Sequence, residues 1–246
     1  MSENLISTDA FNGSVYIHSG ITSTITTSFS HVAGVPSDLT LDVSGNLISG
    51  AGSFMATSIF IHSGITSTIT TSFSSPSDDP TGLTLDSSEN LITVDWYEEK
   101  IYIHSGITST ITTSFATPTG STRCLTIDDS DNLISSADDN DSIYIHSGIT
   151  STVTTSFSTP DSLPRGLTRD GSVNLLSTDS NSDSVYIHSG ITSTITTSFS
   201  TPDSDPYGLT VQPAAVGWTG KISGVTNPAS IMGVPVANIA SVKGVA

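Results

Sequence analysis

Short runs of apolar and β-branched residues, four to a group, return along this chain with small turn-forming residues between them. In one group the runs are Gly82-Leu-Thr-Leu-Asp86, Asn90-Leu-Ile-Thr93, Ile101-Tyr-Ile-His104 and Thr110-Ile-Thr-Thr-Ser-Phe115. Leu83 and Leu85 point one way, as do Ile101 and Ile103, and as do Ile111, Thr113 and Phe115, because side chains alternate across a strand. The joints are Gly, Pro, Asp, Asn and Ser, and no stretch sustains a helical apolar period, so the pattern predicts strands.

The groups are near copies. The phrase running from Tyr16 to Phe29 returns from Phe60, Tyr102, Tyr144 and Tyr186. Its histidines, His18, His62, His104, His146 and His188, are spaced 44, 42, 42 and 42, and each of the first four stands 28 residues before the asparagine that opens the next Asn-Leu phrase. Two extra residues therefore fall within Ser49–Thr57, where they predict a longer loop. A four-stranded unit of this length matches a β-propeller blade. The chain opens on a second strand, Asn4–Ser7, and its repeats end on a lone first strand, Gly208–Gln212. Pairing the two completes a fifth blade and leaves no open edge between first and last repeats. A linear solenoid is the competing architecture, but solenoids carry atypical caps and these ends are halves of one ordinary unit. The expectation is an all-β fold: a five-bladed propeller of four-stranded blades over residues 1–212, closed by its terminal strands.

Charge narrows the function. Six Lys plus Arg face 23 Asp plus Glu, a formal net charge of −17, which repels nucleic acid and anionic membranes. No apolar run approaches membrane-spanning length. Cys124 is the single cysteine, so neither an intrachain disulfide nor a cysteine metal cluster is expected, and its place, where other repeats carry Gly, predicts a small packed residue. Met1-Ser-Glu leads straight into strand residues with no secretion signal, so synthesis and retention in a cytoplasm are expected.

After Gln212 the grammar changes. Residues 213–246 hold Lys221 and Lys243 and no acid, against four bases and 23 acids, a formal −19, in residues 1–212. A β-rich tail of 34 residues is too short for a core of its own. Trp218, Ile222, Val225, Ile231, Val234, Val236, Ile239, Val242 and Val245 are its expected anchoring residues. They would either strap the propeller's underside or dock onto a partner protein or further copies of the chain, the Ile/Val-x-Gly-Val phrases adding strands to a neighbour's sheet edge.

The phrase Pro80-Thr-Gly-Leu-Thr-Leu-Asp-Ser-Ser-Glu-Asn-Leu-Ile-Thr93 resembles the blades of NHL-type propellers, whose Pro-x-Gly-Leu strand and Asp-x-x-Gly-Asn turn precede an apolar strand; Gly45-Asn46 keeps that turn most closely. Those domains are often six-bladed and carry basic ligand surfaces, which Asp141-Ser-Ile-Tyr144 and Asp183-Ser-Val-Tyr186 do not match. The Ile-His-Ser-Gly-Ile-Thr phrase is similar to repeat proteins of tailed bacteriophages, and Asn227–Ala240 looks like C-terminal segments of phage structural proteins. That second resemblance implies a virion location.

Five equivalent histidines invite a metal reading, but on the third strand of diverging blades no two can share an ion at zinc-ligand distance. Asp78-Asp79, Asp138-Asp139-Asn140-Asp141 and Asp203-Ser-Asp205 lack the spacing of a calcium loop and read as solvated carboxylates. Paired acids in an apolar setting, a Gly-x-Ser-x-Gly elbow and a phosphate loop are missing from the sequence. Catalysis needs unlike groups converging, whereas copies offer one group five times; a hydrolase would require a polar cluster in the central channel. Differences between blades are then informative: Trp96, Tyr97 and Glu98 put aromatics beside acid in one loop, and Phe54 with Met55 falls in the insertion, as candidate ligand or partner residues. The expectation is a non-catalytic, cofactor-free virion display protein that contacts other virion proteins or itself through residues 213–246. The alternative is a lectin-like propeller binding host-surface glycan.

Overall fold

The computed structural model describes residues 3–33, 35–51, 57–77 and 79–214, and the backbone of four two-residue strands between 221 and 235. Twenty strands form five antiparallel four-stranded blades. In chain order, β1 (Asn4–Asp9), β2 (Ser14–His18) and β3 (Ile25–Ser30) belong to blade 1. Blade 2 is β4 (Pro36–Leu41), β5 (Leu47–Ala51), β6 (Ser58–His62) and β7 (Ile69–Ser74). Blade 3 is β8 (Pro80–Leu85), β9 (Leu91–Asp95), β10 (Lys100–His104) and β11 (Ile111–Ala116). Blade 4 is β12 (Thr122–Ile127), β13 (Leu133–Ala137), β14 (Ser142–His146) and β15 (Val153–Ser158). Blade 5 is β16 (Pro164–Arg169), β17 (Leu175–Asp179), β18 (Ser184–His188) and β19 (Ile195–Ser200), and β20 (Pro206–Gln212) returns to blade 1.

Ring closure is as the repeat phase predicts. Strand β20 pairs with β1 through Leu5 opposite Val211 and Ser7 opposite Leu209. The side chains complete the join. In blades 2 to 5 an aspartate at the end of the innermost strand, such as Asp42, accepts from the Nδ2 of an asparagine four residues on, here Asn46. In blade 1 that turn is cut by the chain ends, and Gln212 stands in the aspartate's place to accept from Asn4 Nδ2 at 3.3 Å.

The hydrophobic core lies between blades. Ile48 and Ile59 of blade 2 pack on Leu83, Leu85 and Leu91 of blade 3, and the same grouping recurs at all five junctions. This explains the repeated Leu-Ile pair: Leu5 faces blade 5 and Ile6 faces blade 2, so consecutive residues both bury, each stabilising by roughly 1.5–3 kcal/mol. Cys124 is fully buried, as its small size predicts.

The repeated polar residues close on one another. Each phrase histidine is buried and bonds twice: His188 Nε2 meets Ser177 Oγ at 2.9 Å, and its Nδ1 meets the Thr192 carbonyl at 2.6 Å. A carbonyl accepts, so Nδ1 carries the proton and Nε2 accepts from the serine. The equivalents are Ser7–His18, Ser49–His62, Thr93–His104 and Ser135–His146. At the bulge between third and fourth strands a threonine hydroxyl reaches back to a carbonyl, Thr26 to Ile17 and likewise in every blade. Bulged, Thr-bonded outer edges discourage edge-to-edge pairing.

The insertion lies between β5 and β6, as expected, and Phe54 and Met55 lie outside the described residues. So do Trp218, Val236, Ile239, Val242 and Val245. Ile222 and Val225 pair between β21 (Lys221–Ile222) and β22 (Val225–Thr226), and Ile231 and Val234 between β23 (Ser230–Ile231) and β24 (Val234–Pro235).

Candidate ligand site at the channel mouth

With the shared polar groups spent on architecture, a ligand site has to come from positions where the blades differ. Two such positions face each other on one side of the ring, where loops joining second to third strands meet crossovers feeding each innermost strand. The first is the second residue of the innermost strand: Ser37, Thr81, Arg123, Arg165 and Tyr207 in blades 2, 3, 4, 5 and 1. The second is the residue just after the second strand: Ala10, Trp96, Asp138 and Ser180 in blades 1, 3, 4 and 5, the blade 2 counterpart, Gly52, lying outside the described residues.

Trp96 and Asp138 each meet the innermost strand of the following blade. Arg123 lies over the Trp96 ring, its guanidinium carbon 4.2 Å from the centroid. One blade on, Arg165 Nη1 approaches Asp138 Oδ2 at 3.4 Å, and Arg123 Nε donates to the same oxygen at 2.8 Å. Arg165 also lies 5.2 Å from the centre of the Tyr207 ring in blade 1. Stacked, charge-assisted and about nine-tenths buried at Asp138, this rim is a single network across blades 3, 4, 5 and 1.

The network is short of partners. Arg165 Nε and Trp96 Nε1 are buried donors with no hydrogen bond, and among the described residues Arg123 bonds only through Nε. Ser37 and Thr81, the short members of the ring position, are buried with unpartnered hydroxyls. Half-buried Asp79 and Asp205 belong to the same electrostatic neighbourhood. Burial raises both carboxyl pKa values, against the pull of Arg123 and Arg165 on Asp79 and of Arg165 on Asp205.

Below the rim stands Asp38, fully buried, in the position that is Gly82, Gly166 and Gly208 in three other blades and Cys124 in the fourth. Its carboxylate accepts from Leu39 N and from Leu83 N of blade 3, both at 2.8 Å, and from the Leu209 amide of blade 1. Burial pushes its pKa well up despite those bonds. A Cβ on Gly208 would stand 2.6 Å from Asp38 Cα, so this strand approach needs glycine. Burial likewise drives the Cys124 thiol far from its reactive thiolate form.

The site residues expected from the sequence divide here into separate places. Trp96 belongs to the rim. Tyr97, 76% exposed, stands in the same loop, and Glu98 is turned aside to accept from Tyr102 Oη. Sequence reasoning missed Arg123, Asp138, Arg165 and Tyr207, and also Phe11, an 83% exposed aromatic at the loop position of Tyr97 two blades away. The missed signal is a spacing: Trp96 with Arg123, and Asp138 with Arg165, both stand 27 residues apart. Of the acidic loops, Asp138 is an ion-pair partner, Asp203 accepts from Asn12 and Tyr16, and Asp78 lies outside the described residues.

Two clefts occupy the opposite face. One of about 350 Å³ is lined by Thr40–Val43, Gly45, Glu89 and Thr210–Pro213; the other, about 290 Å³, by Asp128–Ser130, Arg169, Val173, Gly190 and Ile191. In them Asp42 and Asp128 are tied into their own turns, and Arg169 is tied to Asp129 and the Ile127 carbonyl with its buried Nε left without a partner.

No protein-family model matches the sequence, and no curated protein matches it. Solved structures do resemble it. A chain of a nidogen/laminin complex superposes with a TM-score of 0.62 at 18% identity, covering 86% of this chain and 98% of that one. Glutaminyl cyclase from Myxococcus xanthus gives 0.56 at 13%, covering 73% and 72%. Virginiamycin B lyase from Staphylococcus aureus gives 0.52 at 17%, covering 84% and 73%. These likenesses show the β-propeller fold alone. Two of the three are enzymes, so the fold leaves catalysis open, and the resemblance to phage virion proteins finds no support in them.

Proposed function

We propose that this protein is a recognition module whose ligand is a glycan held at the channel mouth. The observation that carries this reading is the contiguity of Trp96, Arg123, Asp138, Arg165 and Tyr207: unlike side chains gathered on one rim of an otherwise repetitive ring. Guanidinium donors, carboxylate acceptors and aromatic faces are the groups that engage sugar hydroxyls and ring faces. In a catalytic reading Asp38 and Cys124, sealed below the rim, and the described histidines, bonded inside the blades, take no part, and the acid and base would have to be Asp79 and Asp205 at the mouth.

In this reading residues 213–246, at +2 against the ring's −19, are the arm that attaches the ring to other proteins, of a virion or of its own kind. Glycan-array binding by the full chain tests the site: saturable binding is expected, and Trp96→Ala should weaken it at least tenfold without unfolding the ring. A silent array would overturn the site. Sedimentation tests self-attachment: a full chain as monomeric as residues 1–212 would remove that form of the arm.

A further inference from the structure

Resting on the recognition reading, we infer that the sugar this rim selects carries one carboxylate: a terminal acidic sugar rather than a neutral one or a polyanionic chain. The unpartnered groups of the Arg–Trp network are donors. The buried atoms of the Arg–Trp network that lack partners are Arg165 Nε and Trp96 Nε1. Arg123 uses only Nε, toward Asp138, which leaves its two terminal nitrogens, a planar fork suited to two carboxylate oxygens, without a hydrogen-bonding partner among the described residues.

Charge points the same way. Asp138 receives both guanidiniums on one oxygen, so one negative charge is set against two positive ones in the Arg123–Asp138–Arg165 group. That leaves one positive charge of the group unmatched, and burial holds the neighbouring Asp79 and Asp205 toward their neutral form, so they oppose a further anion less than free carboxylates would. The guanidinium positions are fixed by stacking, Arg123 on Trp96 and Arg165 on Tyr207, so little order has to be gained when a carboxylate arrives. A chain of many carboxylates is opposed at long range by the ring's formal −19. Asp79 and Asp205, outside any ion pair or side-chain hydrogen bond among the described residues, offer acceptors for the hydroxyls of the same sugar.

The test compares methyl β-glucuronide with methyl β-glucoside, which differ only in carboxylate against hydroxymethyl, by calorimetric titration of the full chain. The expected result is at least tenfold tighter binding of the glucuronide. Arg123→Gln should erase that preference, and so should Trp96→Phe, which removes the indole donor but keeps the ring and guards against a folding artefact. Equal binding of the two glycosides, with the array positive, would overturn the acidic-sugar inference and leave glycan recognition standing. Binding of neither, with the array silent, would overturn both. A glucuronide preference that survives both substitutions would place the carboxylate elsewhere and also overturn the inference.

Discussion

The outer strands and the channel mouth are built from opposite kinds of residue. In the outer strands the same Ser/Thr–His–carbonyl relay and the same bulge-bridging threonine recur in all five blades, and each of these polar groups has its partner. At the mouth the equivalent positions read Ser37, Thr81, Arg123, Arg165 and Tyr207, and partners are missing. Residues that recur hold the ring together; residues that break the repeat are free to meet something else.

The largest effect should come from breaking what the blades share. Leu209→Asp puts a charge into the β20–β1 junction beside Leu5 and Leu176, and should cost at least about 4 kcal/mol, enough to abolish cooperative urea unfolding. Retention of a native-like urea transition would mean the closing strand contributes little. Next, His188→Ala leaves Ser177 and the Thr192 carbonyl unpartnered beside a cavity against Phe157, for a loss of about 2–4 kcal/mol. Glycan affinity, measured below the unfolding range, should not change.

The relay also sets a pH dependence. Burial lowers the pKa of all six histidines, His31 to about 4, so the folded ring keeps them neutral while the unfolded chain takes up protons below about pH 6.5. Stability is therefore fully present above that pH and falls as pH drops toward the folded values, by up to about 1.4 kcal/mol per pH unit for each histidine. Asp9, Asp38, Asp79, Asp179 and Asp205 act oppositely. Their raised values favour the folded state as pH falls through them, which relieves a cost carried at neutral pH. Between pH 7.5 and 5.5 the histidines should dominate and the urea midpoint should fall; an unchanged or higher midpoint at pH 5.5 would contradict the relay's neutrality.

The smallest effect concerns a place where repetition is imperfect without any binding role. The turn between first and second strands has Gly45 at φ 77°, whereas Val173 occupies the same position in blade 5 at φ 63°. A β-branched residue is strained there, so Val173→Gly should stabilise by about 1 kcal/mol and raise Tm by roughly 2–4 °C.

Much of the fold was legible because periodicity survives without an alignment: five phrases in constant phase define blades, and their broken ends define closure. Gln212 facing Asn4 shows the match extending to single atoms. The site was less legible. Trp96 stood out as an aromatic in an acidic loop, but Arg123 and Arg165 look like ordinary strand polar residues until the ring carries each to the preceding blade's loop. Their meaning lies in a contact between copies, and a single repeat read alone does not contain it.

If divergence between blades marks the binding surface, the Trp96 indole N–H is the most direct witness, since it lacks a partner and the chain has only one other tryptophan to distinguish from it. In a nitrogen–proton correlation spectrum titrated with methyl β-glucuronide, the Trp96 indole signal should shift saturably while the histidine side-chain signals of the five relays stay in place. Saturable shifts confined to the relays or the opposite-face clefts, with the indole unmoved, would contradict it.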